Sequence, residues 1–264
     1  MKKSIITLVV LIAVVIADAH EFWLQPKKYK YNVGEEMKVD FMVGEGFIGE
    51  LWDLSVHKVE KSEIHFAGGF TDLTKQVKPI KGNNLSYKFL KEGTHLLTLQ
   101  SNAAYIESEG AEFNAYLKED GLDNITELRT KNGELDKPAK EFYQRFAKVL
   151  VQSGSKTDNT FSKRVNVPIE IVPLSNPYSI KTGDYLECRV FYQNKPSAHQ
   201  LVKVWSHVGN RIFLQNIYTE DDGTLKFPIS NSGPWMVSTV KMIPSDKAEA
   251  DYKSMWASLV FGIE

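Results

Sequence analysis

Tyr185-Leu186-Glu187-Cys188-Arg189-Val190-Phe191-Tyr192 sets Leu186, Cys188, Val190 and Tyr192 against Tyr185, Glu187, Arg189 and Phe191 at period two. Side chains that alternate in this way belong to a half-buried antiparallel strand, one face on the core and the other on water. Leu225, Phe227 and Ile229 alternate around Lys226 and Pro228 in the same manner. Asn194-Lys195-Pro196, Asp221-Asp222-Gly223 and Ser232-Gly233-Pro234 fall between these runs, and their residue types favour turns. Residues 161–264 are therefore predicted to fold as a β-sandwich of about seven strands. Toward the N-terminus, Met37-Lys38-Val39-Asp40-Phe41-Met42-Val43 follows Asn32-Val33-Gly34, and Thr94-His95-Leu96-Leu97-Thr98-Leu99 follows Glu92-Gly93. Short strands between turn signals predict a first sandwich within residues 20–160. The polar stretch from Gln152 to Thr160 marks the boundary between the two domains.

Residues 112–153 read differently. Pro138 stands at a first helical position after the candidate cap Asp136, and Phe142, Phe146 and Val149 recur at i, i+4 and i+7. This spacing predicts an amphipathic helix ending near Gly154, with Glu141 and Arg145 paired four residues apart on its exposed side. A shorter helix is expected over Phe113 to Lys118, and Asp123 is a candidate cap for a third running to Leu128. The expected fold is mainly β: two β-sandwich domains with a helical insertion at the end of the first.

Composition narrows the function. Of 264 residues, 42% are hydrophobic and 25% charged, a globular balance that disfavours disorder and a multi-span membrane protein. Lys+Arg 32 against Asp+Glu 33, with no basic run, argues against a nucleic-acid partner. The single Cys188 excludes an internal disulfide and a thiolate zinc centre. Lys2 and Lys3, the apolar stretch Ile5 to Ala17, and Ala17-Asp18-Ala19 form the three parts of a secretory signal peptide, so residues 1–19 are expected to be removed and the protein exported to the periplasm or the medium. That stretch is shorter than the ~20 residues a membrane span needs, and no later segment is long and apolar enough, so no span is expected in the mature chain. Cleavage leaves 30 basic against 32 acidic residues, too even a balance to direct a partner.

No P-loop, G-x-S-x-G, H-E-x-x-H or C-x-x-C motif is present, and no organic cofactor is implied. Gly44-Glu45-Gly46-Phe47-Ile48-Gly49 holds a G-x-G, but it opens no helix and reads as tight-turn glycines. His20 carries the chemistry. Cleavage after Ala19 places an α-amine, pKa ~8, and an imidazole on one residue, a chelate suited to copper, nickel or zinc. Cleavage after Ala17 instead gives Asp18-Ala19-His20, where amine, two backbone amides and imidazole form a square-planar site favouring Cu(II) or Ni(II). A hairpin between Leu54 and Ala67 with an odd-length turn places His57 and His65 opposite each other, whereas a two-residue turn at Lys61-Ser62 places them on opposite faces. His95, His199 and His207 read as surface or edge polar residues. Glu107, Glu109 and Glu112 read either as hard-cation ligands or as acidic residues at a helix start. Trp235, Trp256 and Tyr252 read either as a sugar-stacking surface or as core.

The opening Ala19-His20-Glu21-Phe22-Trp23-Leu24-x-Pro26 resembles that of a bacterial exported family, domain of unknown function 4198, formerly described as NikM-like. Phe113 to Leu122, Tyr143 to Leu150, Glu170 to Pro177 with Gly183-Asp184, and Ala250 to Phe261 extend the resemblance over essentially the whole mature chain. It implies a periplasmic accessory of nickel or cobalt uptake and a second half built as a transthyretin-like or peptidase-regulatory-like sandwich. His20 is the residue carried over as a ligand. Arg145 and Lys148 also match, and Lys241 stands where the family often has a histidine.

The leading expectation is a non-enzymatic protein that binds or hands over a transition metal, nickel or cobalt first and copper second, through His20, with a membrane metal transporter as partner. Two rivals stand beside it. One is a copper-dependent oxidative enzyme in which His20 and a body histidine form a histidine brace; the other is a structural or glycan-binding sandwich without metal.

Overall fold

The structure, a computed structural model, describes residues 20–264; the signal-peptide reading of residues 1–19 lies outside the described residues. In chain order the first half supplies β1 (Glu21–Pro26), β2 (Lys30–Tyr31), β3 (Glu36–Glu45), β4 (Ile48–Leu51), β5 (Val59–Phe66), β6 (Gly69–Asp72), β7 (Leu85–Lys88), β8 (Gly93–Ser101) and β9 (Ala104–Ser108). Helices α1 (Gly110–Glu119) and α2 (Asp123–Asn132) follow, and then the long strand β10 (Ala139–Ser153). The second half supplies β11 (Ile169–Pro173), β12 (Tyr185–Tyr192), β13 (Lys195–Pro196), β14 (Leu201–Val208), β15 (Arg211–Tyr218), β16 (Thr224–Pro228), β17 (Gly233–Pro244) and β18 (Tyr252–Ile263).

These strands form three sheets. A large central sheet runs β15-β14-β17-β18-β10-β8-β5-β6, and β2 and β9 also pair with β10. On one face lies a sheet of β1, β3, β4 and β7; on the other lies one of β11, β12, β13 and β16. Neighbouring residues of the central strands demonstrate the two-sided burial. Leu97, Leu99, Ala147, Val149, Val151, Trp205, Met236 and Val260 pack with Trp23, Val39 and Phe41 of the first outer sheet. Leu96, Phe146, Leu150, Val204, Trp235, Val237 and Leu259 pack with Ile171, Leu186, Cys188, Val190 and Phe227 of the other. The fold is thus mainly β with sandwich packing and a small helical insertion, and both sandwich cores share the central sheet. β10 and β18 join its two halves through nine parallel register pairs, from Glu141 opposite Tyr252 to Val149 opposite Val260.

The expected helix from Pro138 to near Gly154 is instead β10. The i, i+4, i+7 pattern of Phe142, Phe146 and Val149 leads into the almost unbroken apolar run Phe146-Ala147-Lys148-Val149-Leu150-Val151. A strand covered on both faces has no polar face to alternate with, so its sequence loses the period-two signature and imitates a buried helix. Glu141 and Arg145 are consequently not an exposed helical pair. They lie on one face of a strand, about 13 Å apart along it, and both are buried.

The two shorter helices form where expected. Phe113 to Lys118 lies within α1, and Asp123 to Leu128 within α2, where Asp123 is the first helical residue and Leu122 holds the cap position. Phe113, Leu117, Leu122 and Ile125 close a third core with Val240, Met242, Tyr252 and Trp256 of β17 and β18. The G-x-G segment is the β3–β4 hairpin. Gly46 and Phe47 both have positive φ, +55° and +69°, as the two-residue turn between paired Glu45 and Ile48 requires.

Candidate functional site

His20 is partly buried and immediately precedes β1, whose register against β3 runs from Glu21 opposite Gly44 to Pro26 opposite Val39. Trp23 and Leu24 have no exposed surface, so within four residues of His20 the strand is locked in the core. Glu21, only 4% exposed, turns its carboxylate toward the central sheet. There Ser238 Oγ of β17 donates to Glu21 Oε1 at 3.4 Å, and Lys203 Nζ of β14 lies 3.8 Å from the same oxygen. Lys203 and Ser238 are register partners, which explains why both reach one carboxylate. Lys203 also pairs with Asp120 at 2.8 Å and with Glu119 at 3.3 Å, both from the end of α1. The helical insertion therefore supplies half of the charged cluster that fixes the strand leaving His20.

One lysine among these carboxylates leaves an acidic excess. Burial pushes the Glu21 carboxyl up to about 7, with Lys203 pulling it down and Asp120 and Glu45 adding repulsion. Burial likewise pushes Asp120 up to about 6 against the pull of Lys203. For Lys203, burial works against the charge, but Asp120, Glu21 and Glu119 outweigh it and raise its pKa. Sequence reasoning missed Glu21, Asp120 and Lys203. A signal was present in Leu201-Val202-Lys203-Val204-Trp205, where a lysine inside an apolar strand demands a buried partner.

The other histidines scatter. His57 lies in the loop between β4 and β5, stacked on Trp52 at 5.0 Å and 11°, whereas His65 is on β5, so no hairpin sets them opposite. His65 is buried 3.3 Å from Glu63, and burial lowers its pKa despite that neighbour. His95 is buried against Phe89, its Nδ1 3.1 Å from the Gly93 carbonyl oxygen, and burial lowers its pKa as well. His199 is exposed beside Asp221, and His207 is partly exposed on β14. Among the described residues, no three His, Cys, Asp or Glu side chains converge to hold a metal ion.

Glu109 stands at the cap position of α1 and Glu112 in its first turn, favourable places for negative charge at a helix start. Trp235, Tyr252 and Trp256 are all buried, Trp235 stacked on Phe227 and Trp256 on Tyr116, so they form core and not an exposed sugar platform.

A family model matches residues 17–242, from the residues just before His20 through most of β17. The chain belongs to the DUF4198 family, a domain of unknown function. Among solved structures, this DUF4198 chain is similar to the D0-D1 domain of Intimin, with 12% identity and a TM-score of 0.21 over 91% of this chain and 97% of that one. It is also similar to a tetra-tandem repeat in the extending region of a large adhesion protein, with 6% identity and a TM-score of 0.24 over 93% of this chain and 50% of that one. Identity and superposition are too low for either to inform what the DUF4198 chain does. No curated protein matches it. No helix among its described residues is long and apolar enough to cross a membrane.

Proposed function

We propose that the chain is an exported protein, delivered to the periplasm or the medium, that binds a transition metal at its mature N-terminus and hands it to a membrane metal transporter. Nickel or cobalt is the first candidate and copper the second. His20, with the α-amine exposed by signal-peptide cleavage, supplies the ligands, and no covalent chemistry or organic cofactor is required. The observation that carries this reading is the mounting of His20: a partly exposed imidazole at the very start of a strand whose next residue is clamped by Lys203 and Ser238. A chelate built on a fixed strand end loses less chain freedom on binding than one on a loose tail.

Native intact-mass spectrometry of the exported protein, with one equivalent of nickel, cobalt or copper, tests this. The expected result is a mass beginning at His20 or Asp18 with one metal retained, and no retention in His20→Ala. The expected terminus with no metal retained overturns the proposal.

A further inference from the structure

Far along the sequence from His20, a cleft of about 570 Å³ opens between the β4–β5 loop and β10. That is the size of a small-molecule site. Its inner wall carries Arg145, which is 7% exposed. The Arg145 guanidinium lies 4.9 Å from the Tyr143 ring and 5.6 Å from the Phe22 ring, so aromatic faces hold it in place. Its Nε has no hydrogen-bond partner among the described residues.

A buried cation normally has a carboxylate beside it, and the acids nearby are committed elsewhere. Glu141, on the same face of β10, acts on Arg145 only at a distance and spends its hydrogen bonds on Ser254 Oγ and the Tyr116 hydroxyl, from which it accepts. Asp53, at the cleft mouth, accepts from the Ser55 backbone N–H at 2.8 Å. The adjoining wall holds a second orphan, since the buried Trp52 Nε1 also lacks a partner among the described residues. His57 lies flat on that indole and faces Tyr143 edge-on at 6.4 Å, which gives the cleft a planar aromatic side. Lys81 and Glu50 complete the rim, so the lining charges of Arg145 and Lys81 are balanced by those of Glu50 and Asp53.

We infer that this cleft is a binding site for a small organic carboxylate with a planar or apolar body. The Arg145 guanidinium supplies the counter-charge and a forked donor, the Trp52 indole N–H supplies a further donor, and the His57–Trp52 stack covers the body. A guanidinium matches a carboxylate edge to edge, which a lysine does not. Arg145 and Lys81 already offset Glu50 and Asp53, so each added negative charge is uncompensated, and a dianion such as phosphate is disfavoured twice over relative to a monoanion. None of the proposed metal donors at His20 lines this cleft, so carboxylate binding is tested separately from metal binding.

The test uses the full mature protein, labelled with ¹⁵N, and follows the Trp52 indole N–H and the Arg145 Nε–H by NMR. Trp52→Phe and Arg145→Lys assign the two signals. The probes are benzoate, its neutral isostere benzamide, and inorganic phosphate. Benzoate is expected to shift both signals saturably, benzamide to leave them in place, and Arg145→Lys to weaken benzoate binding about tenfold or more, the loss of a charge-assisted forked pair. His20→Ala should bind benzoate as the parent does. Equal response to benzamide and benzoate, a response to phosphate alone, or unchanged benzoate affinity in Arg145→Lys overturns the inference. If Arg145→Lys fails to fold, the contrast between benzoate and benzamide on the parent protein decides.

Discussion

Replacing Glu21 by Gln should make the protein more stable at pH 8 while changing little at pH 4.5. The Glu21 carboxyl is buried at the centre of the cluster and is pushed from 4.5 up to about 7, chiefly by burial, against the pull of Lys203. A carboxyl that binds its proton more tightly when folded makes the fold lose stability as pH rises, because between pH 4.5 and 7 the native state holds a proton the unfolded chain has released. The loss begins near pH 4.5 and is complete above pH 7. Every tenfold difference in proton affinity between the folded and unfolded chain is worth about 1.4 kcal/mol, so the ionised Glu21 costs the fold about 3 kcal/mol at pH 8. Glutamine keeps the shape and an oxygen for Ser238 to donate to, but carries no charge to desolvate. The difference in unfolding free energy between Glu21→Gln and parent should therefore grow by about 3 kcal/mol from pH 4.5 to pH 8, equivalent to roughly 6–12 °C in midpoint for a chain of this length. Urea titrations of both proteins at several pH values read it, and subtracting parent from variant removes the contribution of the titrating groups that do not interact with Glu21. A difference that stays constant across this range would refute the reasoning, since Glu21 would then ionise as it does in water.

Two other buried groups make sharp predictions. Lys148, in the middle of β10, pairs with the fully buried Glu170 at 2.5 Å, and Arg164 holds the other oxygen at 2.7 Å; Lys148→Met should cost about 3 kcal/mol in chemical denaturation, the low end for breaking a buried pair because Arg164 remains. Although burial opposes its charge, Lys148, Arg164 and the Val165 N–H hold the Glu170 carboxyl below its usual range, so its contribution is present above pH 4.5 and is lost as pH falls further. Cys188 has no exposed surface, and burial raises its thiol pKa well beyond the ordinary range. A thiol reagent at pH 8 should label it only as fast as the protein unfolds, and rapid labelling of the native state would contradict its place in the second core.

What is legible in the sequence follows from how many faces of an element meet water. β12 is covered on one face over much of its length, so Leu186, Cys188 and Val190 are buried while Tyr185 is exposed, and the alternation can be read directly. The central strands are covered on both faces. For β10 this erases the alternation and leaves a helical pattern, and with it goes the meaning of Arg145, which in a helix would be half of a solvent-exposed pair with Glu141. The clue lies in the charges themselves. Lys148 and Lys203 each interrupt an apolar run, and a buried ammonium needs a carboxylate that local periodicity cannot supply. Glu170 comes from β11, Glu21 from β1 and Asp120 from the end of α1, so each partner is set by sheet topology and not by sequence distance. Arg145 is a buried cation on β10 that feels Glu141 at a distance but makes no ion pair with a carboxylate among the described residues, which is the contrast with Lys148 and Lys203 on which the carboxylate-site inference rests.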